Sequence, residues 1–224
     1  MNFMIQLLDS LDELLFRVMS WLVFYPLTLW RTVLHPLKMT AFADQQMNEA
    51  EERRHVATVS PPLFLFLSLL LSHGLELALI GDSPLLAEHH RLGDLVNDDT
   101  SLLVLRLALF AVFPLLVSIR LLQRRRAALT RDTLKPPFYS QCYLAAPFAL
   151  TLGMAGTLLQ MHALPWAELT GAAMVIIALI WFVAVEAAWF RQELGASVGR
   201  SLLDAVIATA QGVAILAIVA PLFA

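Results

Sequence analysis

Five stretches of the chain are apolar almost without interruption: residues 61–81, 102–122, 138–160, 168–190 and 201–223. Each approaches or exceeds the ~20 residues a helix needs to cross a hydrocarbon core about 30 Å thick. None shows the two-residue alternation of a membrane-barrel strand. In lipid the backbone must satisfy its own hydrogen bonds, so long apolar runs become helices. The pattern predicts an all-α polytopic membrane helix bundle: five transmembrane helices in residues 61–224, after a different N-terminal segment, residues 1–60.

In that segment Leu7, Leu8, Leu11, Leu14, Leu15 and Val18 recur at helical spacing. Gln6, Asp9, Asp12, Glu13 and Arg17 take the other side, which makes an amphipathic helix expected to lie on the cytoplasmic surface. An apolar run over 18–30 follows, bounded by Arg17 and Arg31 and interrupted by Pro26. Its thirteen residues reach only about 20 Å as a helix. With Trp21, Tyr25 and Trp30 suited to the headgroup layer, it reads as an interfacial or shallow re-entrant element. The alternative is a sixth, tilted span that thins the bilayer or snorkels its arginines. The first sixteen residues hold three acids and no Lys or Arg, the reverse of a signal-peptide n-region.

Composition agrees with a bilayer environment. Hydrophobic residues are 59% of the 224 and charged residues 15%, too apolar for a water-facing enzyme or a disordered chain. A net charge of -3 gives no basis for nucleic-acid binding. The single cysteine, Cys142, excludes an intramolecular disulfide, a CxxC pair and a thiolate zinc site. Charge informs by location. Thirteen of the fifteen Lys and Arg fall before the first span, between the second and third, or between the fourth and fifth. Arg91 alone is on the opposite side and Arg106 lies within a span. The positive-inside rule then places the N-terminus in the cytoplasm and the C-terminus in the periplasm. Heavy Leu, Ala and Arg usage fits a GC-rich bacterium, hence a multi-pass protein of the inner membrane. The polar stretch 44–54 reads as a solvated helix or linker, and 82–101 as an acidic outer loop.

Ionisable groups inside spans need a partner or a task. Counted from Pro61, Glu76 lies about 22 Å in, some 8 Å below the outer face, and Arg106 is about as deep in the next span. An ion pair is expected, with His73 one turn deeper on the same face. His73, Glu76 and Arg106 form either a structural anchor between two spans or a proton relay. On the cytoplasmic side, Glu186 and Asp204 lie about 6–8 Å inside the face. Arg120, Arg191 and Arg200 end spans there and are expected to pair with these acids; a vestibule admitting cations is the functional alternative.

Small residues mark packing seams: Ala145, Ala149, Gly153, Gly156 and Thr157 on the third span, and Ser201, Ala205, Ala208, Thr209 and Gly212 on the fifth. Ala184 and Ala188 suggest another on the fourth. Gln141, Gln160 and Gln211 are expected to bond across helices, and Pro114 and Pro147 to kink the second and third spans. The chain has no Walker loop, HExxH or GxSxG. Glu88-His89-His90 reads as solvated loop, since adjacent histidines do not face one another on a helix. Arg124-Arg125-Arg126 fixes topology or holds anionic headgroups. No cofactor, metal or catalytic residue is expected.

Leu34-His35-Pro36 in a cytoplasmic N-terminal segment, Pro61-Pro62 opening the first span, and five spans in all resemble the Yip family of membrane proteins and its bacterial relatives labelled permeases. The resemblance is architectural and covers most of the chain in outline. It implies a non-enzymatic bundle and no site residues. The expected role is a non-enzymatic accessory or organising subunit, packing against itself as a homo-oligomer or against a membrane-protein partner. The alternative is a small permease for a small molecule or ion, with His73, Glu76 and Arg106 in its path.

Overall fold

The computed structural model describes residues 19–48, 58–80, 99–162 and 164–223, and they are all helical or connecting, with no strand among them. Seven helices are seen in these residues: α1 (19–34), α2 (Pro36–Asn48), α3 (Pro61–Ile80), α4 (Asp99–Arg125), α5 (Arg131–Leu159), α6 (Pro165–Leu194) and α7 (Val198–Phe223). Helices α3 to α7 are long and apolar enough to cross a membrane. The protein is a polytopic helical membrane protein. The amphipathic stretch before residue 19, residues 49–57 and the acidic connection with Glu88, His89 and His90 lie outside the described residues.

The helices overrun the expected spans mostly at one end. α5 begins at Arg131, not 138, because Thr130 and Thr133 form a reciprocal cap: each accepts the other's backbone N–H, at 3.2 and 3.0 Å. Pro136 and Pro137 sit in the next turn, where the carbonyls they leave unpaired, those of Asp132 and Thr133, lie in the partly exposed first turn. α6 runs from Pro165 at its first turn to a left-handed Gly195 (φ 58°). Its 30 residues span about 45 Å, so it passes through the headgroup layers as well as the hydrocarbon. The ends of α4 and α6 and the starts of α5 and α7 together make a basic face.

α5 is the centre of the bundle. Residues 140–150 are all buried, and α2, α3, α4 and α6 pack around it; a helix buried on every side carries apolar or small residues all round. Ala145, Ala146 and Ala149 let neighbouring backbones approach. Pro114 and Pro147 stay inside continuous helices, where Ser118 and Thr151 donate back to the proline carbonyls at 2.6 and 2.8 Å.

α1 continues through Pro26 and stops at His35, the residue before Pro36, where helical backbone is disfavoured. It runs antiparallel to the start of α3. Thr28 Oγ1 accepts from the Val59 amide at 3.4 Å, and one turn earlier Tyr25 packs on Phe64 (centroids 5.3 Å) and reaches Ser68 Oγ at 3.0 Å. Ser68 is two turns into α3, so α1 dips alongside that helix rather than lying flat. Met19, Leu22 and Val23 are exposed, as suits side chains facing lipid. Tyr143, fully buried on α5, donates to the Val59 carbonyl at 2.8 Å and fixes the start of α3.

Candidate functional sites on opposite faces

The first polar site lies in the half of the bundle away from the basic face. Glu76 and His73 on α3 are both 4% exposed. Arg106 from α4 places Nη1 2.5 Å from Glu76 Oε2 and 3.2 Å from His73 Nδ1. His73 Nδ1 is 3.6 Å from the same carboxylate oxygen. A guanidinium only donates, so Arg106 is the donor to both neighbours. The three residues named from the sequence therefore meet at one point between α3 and α4.

Glu76 and Arg106 border a cleft of about 440 Å³ between α3, α4, α5 and α7. Glu76, Arg106 and Gln160 supply polar atoms. Leu69, Phe110, Leu152, Val213 and Leu216 supply most of the wall. Gly156 lines the cleft with open space where a Cβ would stand, whereas a Cβ on Gly153 would meet Ser72 at 2.6 Å. Gly153 is thus a point of contact between α3 and α5, and Gly156 is a point where they part. Gln160 donates to the Gly156 carbonyl of its own helix at 3.2 Å.

Phe110 at the cleft stacks on Phe113, which meets Phe148 and Phe182 edge-on at 5.3 and 6.0 Å. Phe148 and Phe182 stack at 4.3 Å. Phe113 is about 10 Å along its helix from Arg120 and Phe182 about 13 Å from Arg191, so the cluster lies near mid-membrane. A Cβ on Gly212 would meet the Phe113 ring at 2.5 Å, so α7 needs glycine there to close on the cluster. These four rings carry no signal in the sequence that separates them from ordinary apolar filling.

The second polar region is at the basic face, and it divides in two. Asp204 on α7 takes both Arg120 and Arg124 on one oxygen, with nitrogens at 2.7 to 3.0 Å. Arg191 and Arg200, the other expected partners, are exposed. Arg124 replaces them, one helical turn beyond Arg120. Glu186 stands apart: its side of α6 faces α5, where Gln141 is the neighbouring polar side chain. Glu186 is 0% exposed, and neither its oxygens nor the Gln141 amide atoms have a hydrogen bond of good geometry. The expected single layer of Glu186, Asp204 and Arg120 is therefore one ion-paired acid and one isolated acid.

A cavity of about 220 Å³ opens at this face, lined by Asp44, Met47, Leu121, Arg125, Trp189 and Glu193 with Pro136 and Pro137 of α5. Arg125 Nη2 lies 2.5 Å from Glu193 Oε2. Asp44 on α2 accepts from Ser140 Oγ at 2.7 Å. Burial raises the Asp44 carboxyl above the ordinary aspartate range, and the Ser140 hydroxyl only partly opposes this. Trp189 Nε1 is buried without a hydrogen-bond partner.

The seam residues divide as well. Ala149, Ala208 and Gly212 are buried in helix contacts. Ala184 is exposed instead of forming a seam; on α6 the close approach is at Gly171, whose Cβ would meet the Ala155 carbonyl at 2.9 Å. Gln211 is also exposed and bridges no helices among the described residues. No protein-family model, curated protein or solved structure matches this chain.

Proposed function

We propose that the protein is a small, non-enzymatic permease of the inner membrane, with its basic face in the cytoplasm and the Glu76–Arg106 cleft facing the periplasm. The observation that carries this reading is the cleft itself. Its volume falls in the range of small-molecule sites, its wall is mostly apolar, and its few polar groups converge at one end. Such a lining suits an amphipathic solute, with an apolar body against Phe110 and Leu152 and a polar head at Arg106 and Glu76. The aromatic cluster beneath separates the cleft from the basic-face cavity, as a permeability barrier requires.

An organising role, packing against itself or a partner, would use small-residue seams left free on the outside of the bundle. Ala149, Gly153, Ala208 and Gly212 are used up in packing this chain's own helices, which weakens that reading. The Yip-like outline enters the proposal only as shared topology. The test is a cleft-filling substitution where space exists: Gly156→Trp. Cells expressing the unaltered protein should differ in the metabolite profile of cytosol and medium from cells lacking it. Gly156→Trp should abolish that difference while the purified protein stays monodisperse. An unchanged difference in Gly156→Trp cells would remove the permease reading and return the organising role to first place.

A further inference from the structure

We propose that Glu186 is a proton-binding carboxyl, held as the neutral acid beside Gln141 and loaded from the basic-face cavity. Three observations meet here. Glu186 is wholly buried, and among the described residues neither its oxygens nor the polar atoms of Gln141 beside it make a hydrogen bond of good geometry. A carboxylate in that setting is strongly disfavoured, whereas a carboxylic acid complements an amide. Its O–H donates to Gln141 Oε1 and its carbonyl accepts from Nε2, so one added proton satisfies every orphaned atom of the pair.

Second, among the described residues no cation stands ready to replace that proton. On α4, Arg120 and Arg124 are committed to Asp204 of α7, and Arg125 to Glu193 of α6. Arg191 and Arg200 are exposed at the face, as are Lys135 on α5 and Lys38 on α2. Asp44, the acid on α2, is bonded to Ser140. A metal ion would need about six oxygen ligands, and no group of three ligating side chains gathers among the described residues.

Third, the pair lies close to the basic-face cavity. Glu193, Trp189 and Glu186 are spaced seven, three and zero residues along one stripe of α6, and the first two line the cavity. Gln141 is one turn beyond Pro137, another lining residue. Glu186 and Gln141 thus lie about one helical turn beyond the cavity's lining, on the side toward Phe148 and Phe182. The transfer is simple: the Glu186 carboxylate takes a proton from water in the cavity and returns it there or passes it onward. As the coupling site of a transporter, Glu186 rests on the permease reading; as a proton site it stands alone.

The test uses the full chain in lipid nanodiscs and infrared difference spectroscopy. The unaltered protein should show the carbonyl band of a protonated carboxylic acid at neutral pH, shifting promptly in D₂O. Glu186→Gln should remove the band. Met47→Trp, which narrows the cavity, should keep the band and slow its D₂O shift about tenfold. Absence of the band, its survival in Glu186→Gln, or exchange unaffected by Met47→Trp would overturn the proposal. Should Glu186→Gln fail to fold, dicyclohexylcarbodiimide on the unaltered chain decides, because it attacks buried protonated carboxyls. A Glu186 adduct that declines as pH rises supports the site, and no adduct at any pH overturns it. Neither readout involves a transported solute, so a positive band with ordinary metabolite traffic in Gly156→Trp cells would end the permease and keep the proton site.

Discussion

At the scale of single residues, the site between α3 and α4 is governed by one ion pair in a poorly solvated place. Removing one partner strands a buried charge, which costs about 3–5 kcal/mol, whereas removing both leaves no charge to strand. Glu76→Gln and Arg106→Met should therefore each lower the thermal midpoint of the detergent-solubilised protein sharply. The double variant should recover much of the loss. A double variant as unstable as the sum of the two would show that the pair is not energetically coupled. The meeting of Glu76 and Arg106 was legible because depth along a span is a simple count of residues. The separation of Glu186 from Asp204 was not, since equal depth does not say which neighbour each helix faces. Asp204 turns to α4 and its two arginines, and Glu186 turns to α5, where Gln141 is the polar neighbour.

Helices in lipid gain little from hiding apolar surface, so how closely they approach depends on which side chains stand at the contact. Gly153 and Gly156 are three residues apart on α5 and read alike in sequence, yet they sit in opposite surroundings. A methyl at Gly153 meets Ser72 Cβ and Oγ at 2.6 Å, and a methyl at Gly156 meets nothing within 4 Å. Gly153→Ala should destabilise by about 1–3 kcal/mol through forced separation of α3 and α5. Gly156→Ala should be close to neutral or slightly stabilising, since alanine also favours helix. Chemical-denaturation midpoints in detergent check both, and equal effects would mean that the two glycines share one environment. The repeat of small residues predicted that seams exist on α5 and α7 and gave no means of separating contact from cleft. On α6 it pointed to Ala184, while the close approach is at Gly171, because periodicity names a stripe without saying what lies opposite. Likewise the Thr130–Thr133 cap starts α5 a full two turns early, in a polar stretch that hydropathy passes over.

For the whole molecule, the decisive asymmetry is in charge. The ends of α4 and α6 and the starts of α5 and α7 bring Arg120, Arg124, Arg125 and Arg131 to one face, where three ion pairs tie α4 to Asp204 of α7 and Glu193 of α6 beside the smaller cavity. Among the described residues, the opposite half holds one intramembrane ion pair, Glu76–Arg106, and a cleft. On the permease reading, the larger cleft in that half would present its binding surface to one compartment. In the proposed orientation the basic face is cytoplasmic, as the positive-inside rule expects. Leu129 and His162 flank α5 at its two ends and both are exposed, while the native Cys142 is buried and should stay unreactive. Leu129→Cys in intact cells should resist a membrane-impermeant maleimide until the membrane is broken, and His162→Cys should react at once. Labelling of Leu129→Cys in intact cells with His162→Cys protected would invert the protein. The cleft would then open to the cytoplasm, the Glu186 cavity to the exterior, and any proton taken up by Glu186 would come from the outside.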